Sequence, residues 1–398
     1  MRRIALLENP IRDYAWGSRT AIAKLLGEPG PSAGPQAELW MGAHPSAPSH
    51  VVLDGRRVSL VDLVAEDPLA ILGPRVAARF GPRLPFLAKL LAAEAPLSLQ
   101  AHPDAAQARA GFERESALGI PLGSERRCYR DASHKPELLC ALEPFEALCG
   151  FRPPEAIRGL AQRLGVREVV DFVAAALARP EPLAALFGGL LRLEPGRRGV
   201  LVAAAAEAAS ALTDDPGLAW IPRLARLYPG DAGALAPLFL EHVLLEPGEA
   251  LFLSPGELHG YLGGFAVEVM ASSDNVLRGG LTSKHVDVDE LLRILRCEPR
   301  SAQALRPEPD ESGTLRYVTP AQEFELSRLC LGPQRSFASA GDRGVEILLC
   351  TRGGVRVIGE AGPIALRPGR SCLIPAAAGP YRAEGEGELH RIAVPGPR

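Results

Sequence analysis

The stretch EPGEALFLSPGELHGYL at residues 246–262 decides the fold, because a fainter copy, RPGRSCLIPAAAGPYR, lies at 367–382. Each copy has a Pro-Gly turn, a short apolar strand, a Pro turn and a following aromatic. That is half of a small double-sheet barrel of the jelly-roll or cupin kind, and two copies mean two barrels. The first copy carries His259 and the second carries no histidine. One barrel can therefore offer a metal ligand at this position and the other cannot.

Outward from these copies the chain divides by pattern. Residues 1–150 read as short strands and turns, such as SHVVLDG and PLSLQAH. The stretch 57–92 reads as more helical, with VSLVDLVAEDPLAIL and LPFLAKLLAAE. Residues 151–240 are Ala- and Leu-rich at helical spacing, with Asp, Glu or Pro near helix starts. Strand character returns from 241, with a short helix at VDELLRIL. The fold class expected is mainly β with a helical insertion: two cupin or jelly-roll β-barrel domains plus an α-helical domain. A catalytic barrel would use 1–150 with 241–298, and the helical domain 151–240. A Pro- and acid-rich linker would follow at 299–314, then a metal-free barrel at 315–398.

Composition narrows the function. The 398 residues suggest two to three domains. The 41 glycines and 37 prolines fit many turns. A net charge of −3 without a basic stripe argues against nucleic acid. No signal peptide and no membrane-length apolar run is seen. Seven scattered cysteines without a CxxC pair read as free thiols in a reducing cytoplasm. There are only four lysines against 40 arginines, and Lys89, Lys135 and Lys284 all sit in the segments below.

Four segments concentrate chemistry. In LSLQAH (97–102), strand periodicity puts Ser98, Gln100 and His102 on one face, and Leu97, Leu99 and Ala101 on the other. A half-exposed structural strand explains that pattern equally well. In SHKPEL (133–138), Pro136 fixes the backbone before Glu137, with His134 and Lys135 adjacent; alone, this is a surface turn. In PGELHGY (255–261), a turn delivers His259, and Tyr261 shares its face if the strand resumes. In EVMASSDNVLRGGLTSK (268–284), Glu268, Asp274, Arg278 and Lys284 surround Gly279 and Gly280. The competing reading is a hydrophilic loop. Together the segments supply Gln, His, Glu and His, an N/O donor set that zinc accepts.

These segments, with NPIRDYAWGS (9–18), AELWMGAHPS (37–46) and LPFLAK (84–89), resemble type I phosphomannose isomerases, zinc enzymes of the cupin superfamily. The resemblance covers most of the chain. It implies one zinc per chain, held by Gln100, His102, Glu137 and His259, with Arg278 as the active-site arginine. It implies phosphate binding by Ser98 and Lys284, and interconversion of mannose 6-phosphate and fructose 6-phosphate, serving the pool of activated mannose. Where the family commonly has Arg-Ala-Gly-Leu-Thr-Pro-Lys, this chain has RGGLTSK at 278–284. The loop is looser but its charges are kept.

The reaction moves a proton between C1 and C2 through a cis-enediol. Candidates for the proton-moving group are Lys135, His134, Glu268 and Asp274. Lys89 is a further charge for the pocket; Tyr261 and Trp16 would wall the sugar. The expected partner is a small sugar phosphate, with no nucleic acid or membrane, and the chain is expected to be a monomer. The rival readings are a cupin isomerase or epimerase for another sugar phosphate, and a non-catalytic sugar-binding regulator.

Overall fold

The computed structural model describes residues 1–212 and 214–396. Among them the chain is mainly β, with two large sheets and one helical block. Ten strands between Ile11 and Gly280 form one sheet, and nine strands form the other, all but one of them from the last hundred residues. The two sheets share an apolar core. Leu138, Val267 and Val269 of the first pack in one cluster with Leu326, Ile347 and Ile392 of the second.

The helical block is Pro154–Leu164, Arg167–Leu177, Pro182–Arg192, Pro195–Ala209, Trp220–Leu227 and the short Ala236–Phe239. Pro stands in the first turn of four of these six helices, where the missing N–H costs nothing. The apolar stripe of the block packs on Leu99, Leu148 and Leu277 of the ten-stranded sheet and on Leu258 just before its strand His259–Ala271. The block thus backs the sheet from which the candidate site is built.

One long strand, His259–Ala271, organises that sheet. Its register sets His259 opposite Gln100, Glu268 opposite Lys89, and Met270 opposite Glu137. The strand bends after Tyr261, where the register slips. Gly264 sits at the bend with φ +131°, and a Cβ there would lie 2.6 Å from the Phe145 ring. Only glycine fits both conditions. A second slip between Arg278 and Gly280 turns the strand Leu277–Gly280 against Leu99–Ala101. Gly280 has φ +133°, and a Cβ there would meet Asp231 and Gly233.

Three expectations change. The segment LPFLAKLLAAE is not helical: Phe86–Ala93 is a central strand with all eight residues buried. A strand covered on both faces shows no alternation, and its Leu, Ala and Lys favour a helix locally, so the tertiary setting overrides propensity. The helices of that region are Leu60–Glu66, Pro68–Leu72 and Pro74–Phe80. The stretch 299–314 is laced to its surroundings rather than free. Pro299 bridges Phe151, Leu305 bridges Ala250, and Glu308–Pro309 pairs with Leu315–Arg316. Finally, Ala5–Leu6, grouped by sequence with the first barrel, pairs with Ser371–Ile374 of the second sheet.

Candidate metal centre and its anion pocket

Three strands converge on one buried cluster. His102 follows Leu99–Ala101, Glu137 opens the strand Glu137–Ala141, and His259 opens His259–Ala271. All three side chains are about 98% buried or more, and their ligand-type atoms lie within 4.8 Å of one another. The two imidazole rings are 5.3 Å apart. His102 Nδ1 lies 2.7 Å from the Asn275 carbonyl and His259 Nδ1 2.9 Å from the Glu257 carbonyl. A carbonyl only accepts, so each Nδ1 carries the proton and each Nε2 lone pair faces inward.

Those inward atoms are the ones left over. His102 Nε2 and Glu137 Oε2 are buried without a hydrogen-bond partner. The nearest approaches, 3.4 Å from His102 Nε2 to Glu137 Oε1 and 3.6 Å from His259 Nε2 to Glu137 Oε2, are too long to satisfy them. The Gln100 amide is 3.4 Å from His259 Nε2. Buried polar atoms that converge without partners cost free energy unless something joins them. A divalent ion does so, and two imidazoles with a carboxylate and an amide fit zinc with a position open for substrate.

The electrostatics suit a cation there. Burial lowers the His102 pKa to about 4, so the ring is neutral and its lone pair free near pH 7. Burial would raise Glu137, but Lys135 and His102 hold it well below the usual carboxylate range. Lys135 Nζ is 3.0 Å from Glu137 Oε1.

Arg278 faces Gln100 across its strand pair. Burial and the neighbouring Arg130 both lower its pKa. Burial, Arg278 and Arg130 do the same to Lys284. Among the described residues no carboxylate lies within ion-pair distance of these three cations. Neighbouring cations without an ion-pair partner are prepared for an anion. Ser98 is half-buried, two residues before Gln100, and Lys284 is exposed.

The remaining expected residues fall in distinct places. Lys89 is buried between Glu268 at 3.0 Å and Glu38 at 3.4 Å, and lies over the Trp40 ring. Burial would lower its pKa, but the two carboxylates push it above the ordinary value, so it is a fixed charge. Glu268 also accepts the Tyr261 hydroxyl at 3.0 Å. Tyr261 is buried with its hydroxyl engaged, so it forms part of the floor rather than an open wall. Trp16 is half-buried, stacks on Tyr14 and packs beside Leu97 and Tyr261. Asp274 pairs with His44 at 3.2 Å, and both line a cavity of about 300 Å³ with Arg130. His134 reaches the other sheet's domain and pairs with Glu323 at 2.8 Å. The sequence reading missed Arg130, His44, Glu38 and Glu323. His44 and Glu38 lie inside AELWMGAHPS, a segment already singled out, whereas Arg130 lies just before SHKPEL and nothing local marks Glu323.

A buried N/O donor cluster, with Arg278 opposite Gln100 and free of an ion-pair partner among the described residues, fits a metalloenzyme site for a small anionic substrate. Residues 4–154 match the family model of the phosphomannose isomerase type I catalytic domain. The Salmonella typhimurium mannose-6-phosphate isomerase is 40% identical over 97% of this chain and 98% of its own length. The Arabidopsis thaliana mannose-6-phosphate isomerase 1 is 32% identical over 94% of this chain and 90% of its own. A zinc-bound crystal structure of a mannose 6-phosphate isomerase superposes with TM-score 0.89 at 37% identity, covering 98% of this chain and 99% of that one. The chain belongs to the mannose-6-phosphate isomerase family.

Proposed function

We propose that this chain interconverts D-mannose 6-phosphate and D-fructose 6-phosphate through a cis-enediol, with one zinc held by Gln100, His102, Glu137 and His259. The observation that carries the reading is the pair of orphaned atoms, His102 Nε2 and Glu137 Oε2, beside cations that lack counterions. Zinc, when bound, supplies Lewis-acid polarisation of the sugar oxygens at C1 and C2. Arg278, Arg130 and Lys284 hold anionic charge, Lys284 with Ser98 gripping the phosphate and Arg278 stabilising the enediolate as its charge develops. Glu268 has both oxygens engaged by Lys89 and Tyr261, and His134 Nε2 is held by Glu323. Lys135, 3.0 Å from the proposed ligand Glu137, stands against the metal centre and is the candidate to move the proton, with Asp274 beside His44 as the alternative.

The two sheets fit the cupin or jelly-roll architecture that the repeated strand-turn units suggest, with the second barrel structural. The seven cysteines are all free, as a reducing cytoplasm requires. Among the described residues no helix is long and apolar enough to cross a membrane.

The test measures metal content and isomerisation of mannose 6-phosphate before and after chelation. About one zinc per chain, with activity lost on chelation and restored by zinc, is the expected result. Bound zinc with isomerisation only of another sugar phosphate overturns the substrate assignment. No metal and no turnover favours a non-catalytic sugar-binding protein.

A further inference from the structure

The loop 133–137 carries two groups of the site, Lys135 and Glu137, and it is held from two sides. On one side Asn275 donates its side-chain amide to the Ser133 carbonyl at 2.8 Å, and Asp131 accepts from the Ser133 backbone N–H at 2.8 Å. Those anchors lie in loops next to strands of the sheet that carries the site. On the other side His134 Nε2 meets Glu323 Oε1 at 2.8 Å, across a sequence separation of 189. Glu323 precedes the strand Glu325–Leu331 of the second sheet. Its side chain is 14% exposed, and its second oxygen accepts from the Gln322 backbone N–H. Burial would raise the Glu323 pKa, but His134 holds it below the ordinary value, so the carboxylate is charged and the hydrogen bond from His134 is charge-assisted.

The geometry forms a chain of fixed contacts. Glu323 fixes His134; Lys135 follows directly and rests on Glu137 Oε1; Pro136 restricts the backbone between them. We propose that Glu323 of the second sheet is a positioning residue for the isomerase site, acting through His134 to hold Lys135 and Glu137 in register. The second domain then takes part in catalysis without touching substrate. This inference rests on the function proposed above for its kinetic part, while its metal-binding part stands apart from it.

The experiment compares the wild type with Glu323→Ala, Glu323→Asp, His134→Ala and the Glu323→Ala/His134→Ala double variant, all as full chains. Zinc affinity is read by competition with a chromogenic chelator, and kcat and KM on mannose 6-phosphate are read separately. Outer-shell partners of metal ligands typically carry a 10- to 100-fold effect on affinity or activity. The expected result is about a tenfold loss in zinc affinity or in kcat for Glu323→Ala, with KM within twofold. Glu323→Asp recovers most of it, and the double variant loses no more than His134→Ala alone. Wild-type zinc affinity and kcat in Glu323→Ala overturn the proposal. So do losses that add to those of His134→Ala. Should Glu323→Ala not fold, Glu323→Gln, which keeps the volume, is read by the same criteria. Should the wild type isomerise nothing, the zinc-affinity arm decides this inference alone.

Discussion

Each of the two sheets buries a glutamate that takes a tyrosine hydroxyl and a cation. In the first, Glu268 accepts from Tyr261 at 3.0 Å and pairs with Lys89 at 3.0 Å. In the second, Glu346 accepts from Tyr381 at 2.6 Å and pairs with Arg391 at 2.6 Å. Beyond this the sheets diverge. The first sets a second glutamate, Glu137, between two imidazoles and leaves its donors unjoined. In the second, the one buried histidine, His390, faces Thr351 and Cys140 rather than another imidazole. Similar carboxylate–phenol–cation triads thus serve two ends. One lies beside donors that converge on a common point, and the other has no such cluster beside it among the described residues.

The sharpest way to break this comparison is to remove one glutamate from each sheet. Glu137→Ala is expected to abolish both zinc binding and turnover, because it removes the carboxylate that His102 and His259 share. Glu346→Ala is expected to keep one zinc per chain, by metal analysis of the purified variant. A lost zinc in Glu346→Ala would show that the second sheet's triad, like the first, supports the metal centre.

Arg278→Ala comes next in size. A lost charge-stabilising donor typically costs about 10²–10³ in kcat, and zinc content should be unchanged. Equal loss of zinc and turnover would place Arg278 in the metal site instead. Glu346→Ala returns as a stability effect. Arg391 would be left largely buried without its closest carboxylate, a loss of about 3 kcal/mol in a denaturant titration. Glu325, 3.6 Å from Arg391, softens that loss.

The smallest effect is a pH slope. Burial lowers the His390 pKa to about 4 in the folded chain, against about 6.5 unfolded. The unfolded state therefore takes up the proton first, so stability is full above pH 6.5 and falls as pH drops towards 4. Between pH 7 and pH 5 this group should remove about 2 kcal/mol. Chemical denaturation of His390→Gln over that range should lack this part of the slope.

The sequence carried the metal donors because strand alternation and a Pro-fixed turn are local signals. It carried the helical block for the same reason, since apolar spacing and N-terminal prolines are read within one helix. It failed at Phe86–Ala93, where burial on both faces erased the alternation that marks a strand. It also failed wherever a partner is distant. Nothing near Glu323 points to His134, and nothing near Glu38 points to Lys89. His44 stood inside a recognised segment and Arg130 just outside one, and both take their roles from what faces them in space, Asp274 and Arg278.

The pairing of Ala5–Leu6 with Ser371–Ile374 has a consequence for synthesis. Ala5–Leu6 is synthesised well before every other strand of its sheet; Asn9 and Ser371, hydrogen-bonded to each other, are 362 residues apart. At about 5–20 residues per second, that strand waits roughly 20 to 70 s for its neighbour. During this time it cannot be sheltered by its native partner, and the second sheet, once made, closes around a segment synthesised long before it.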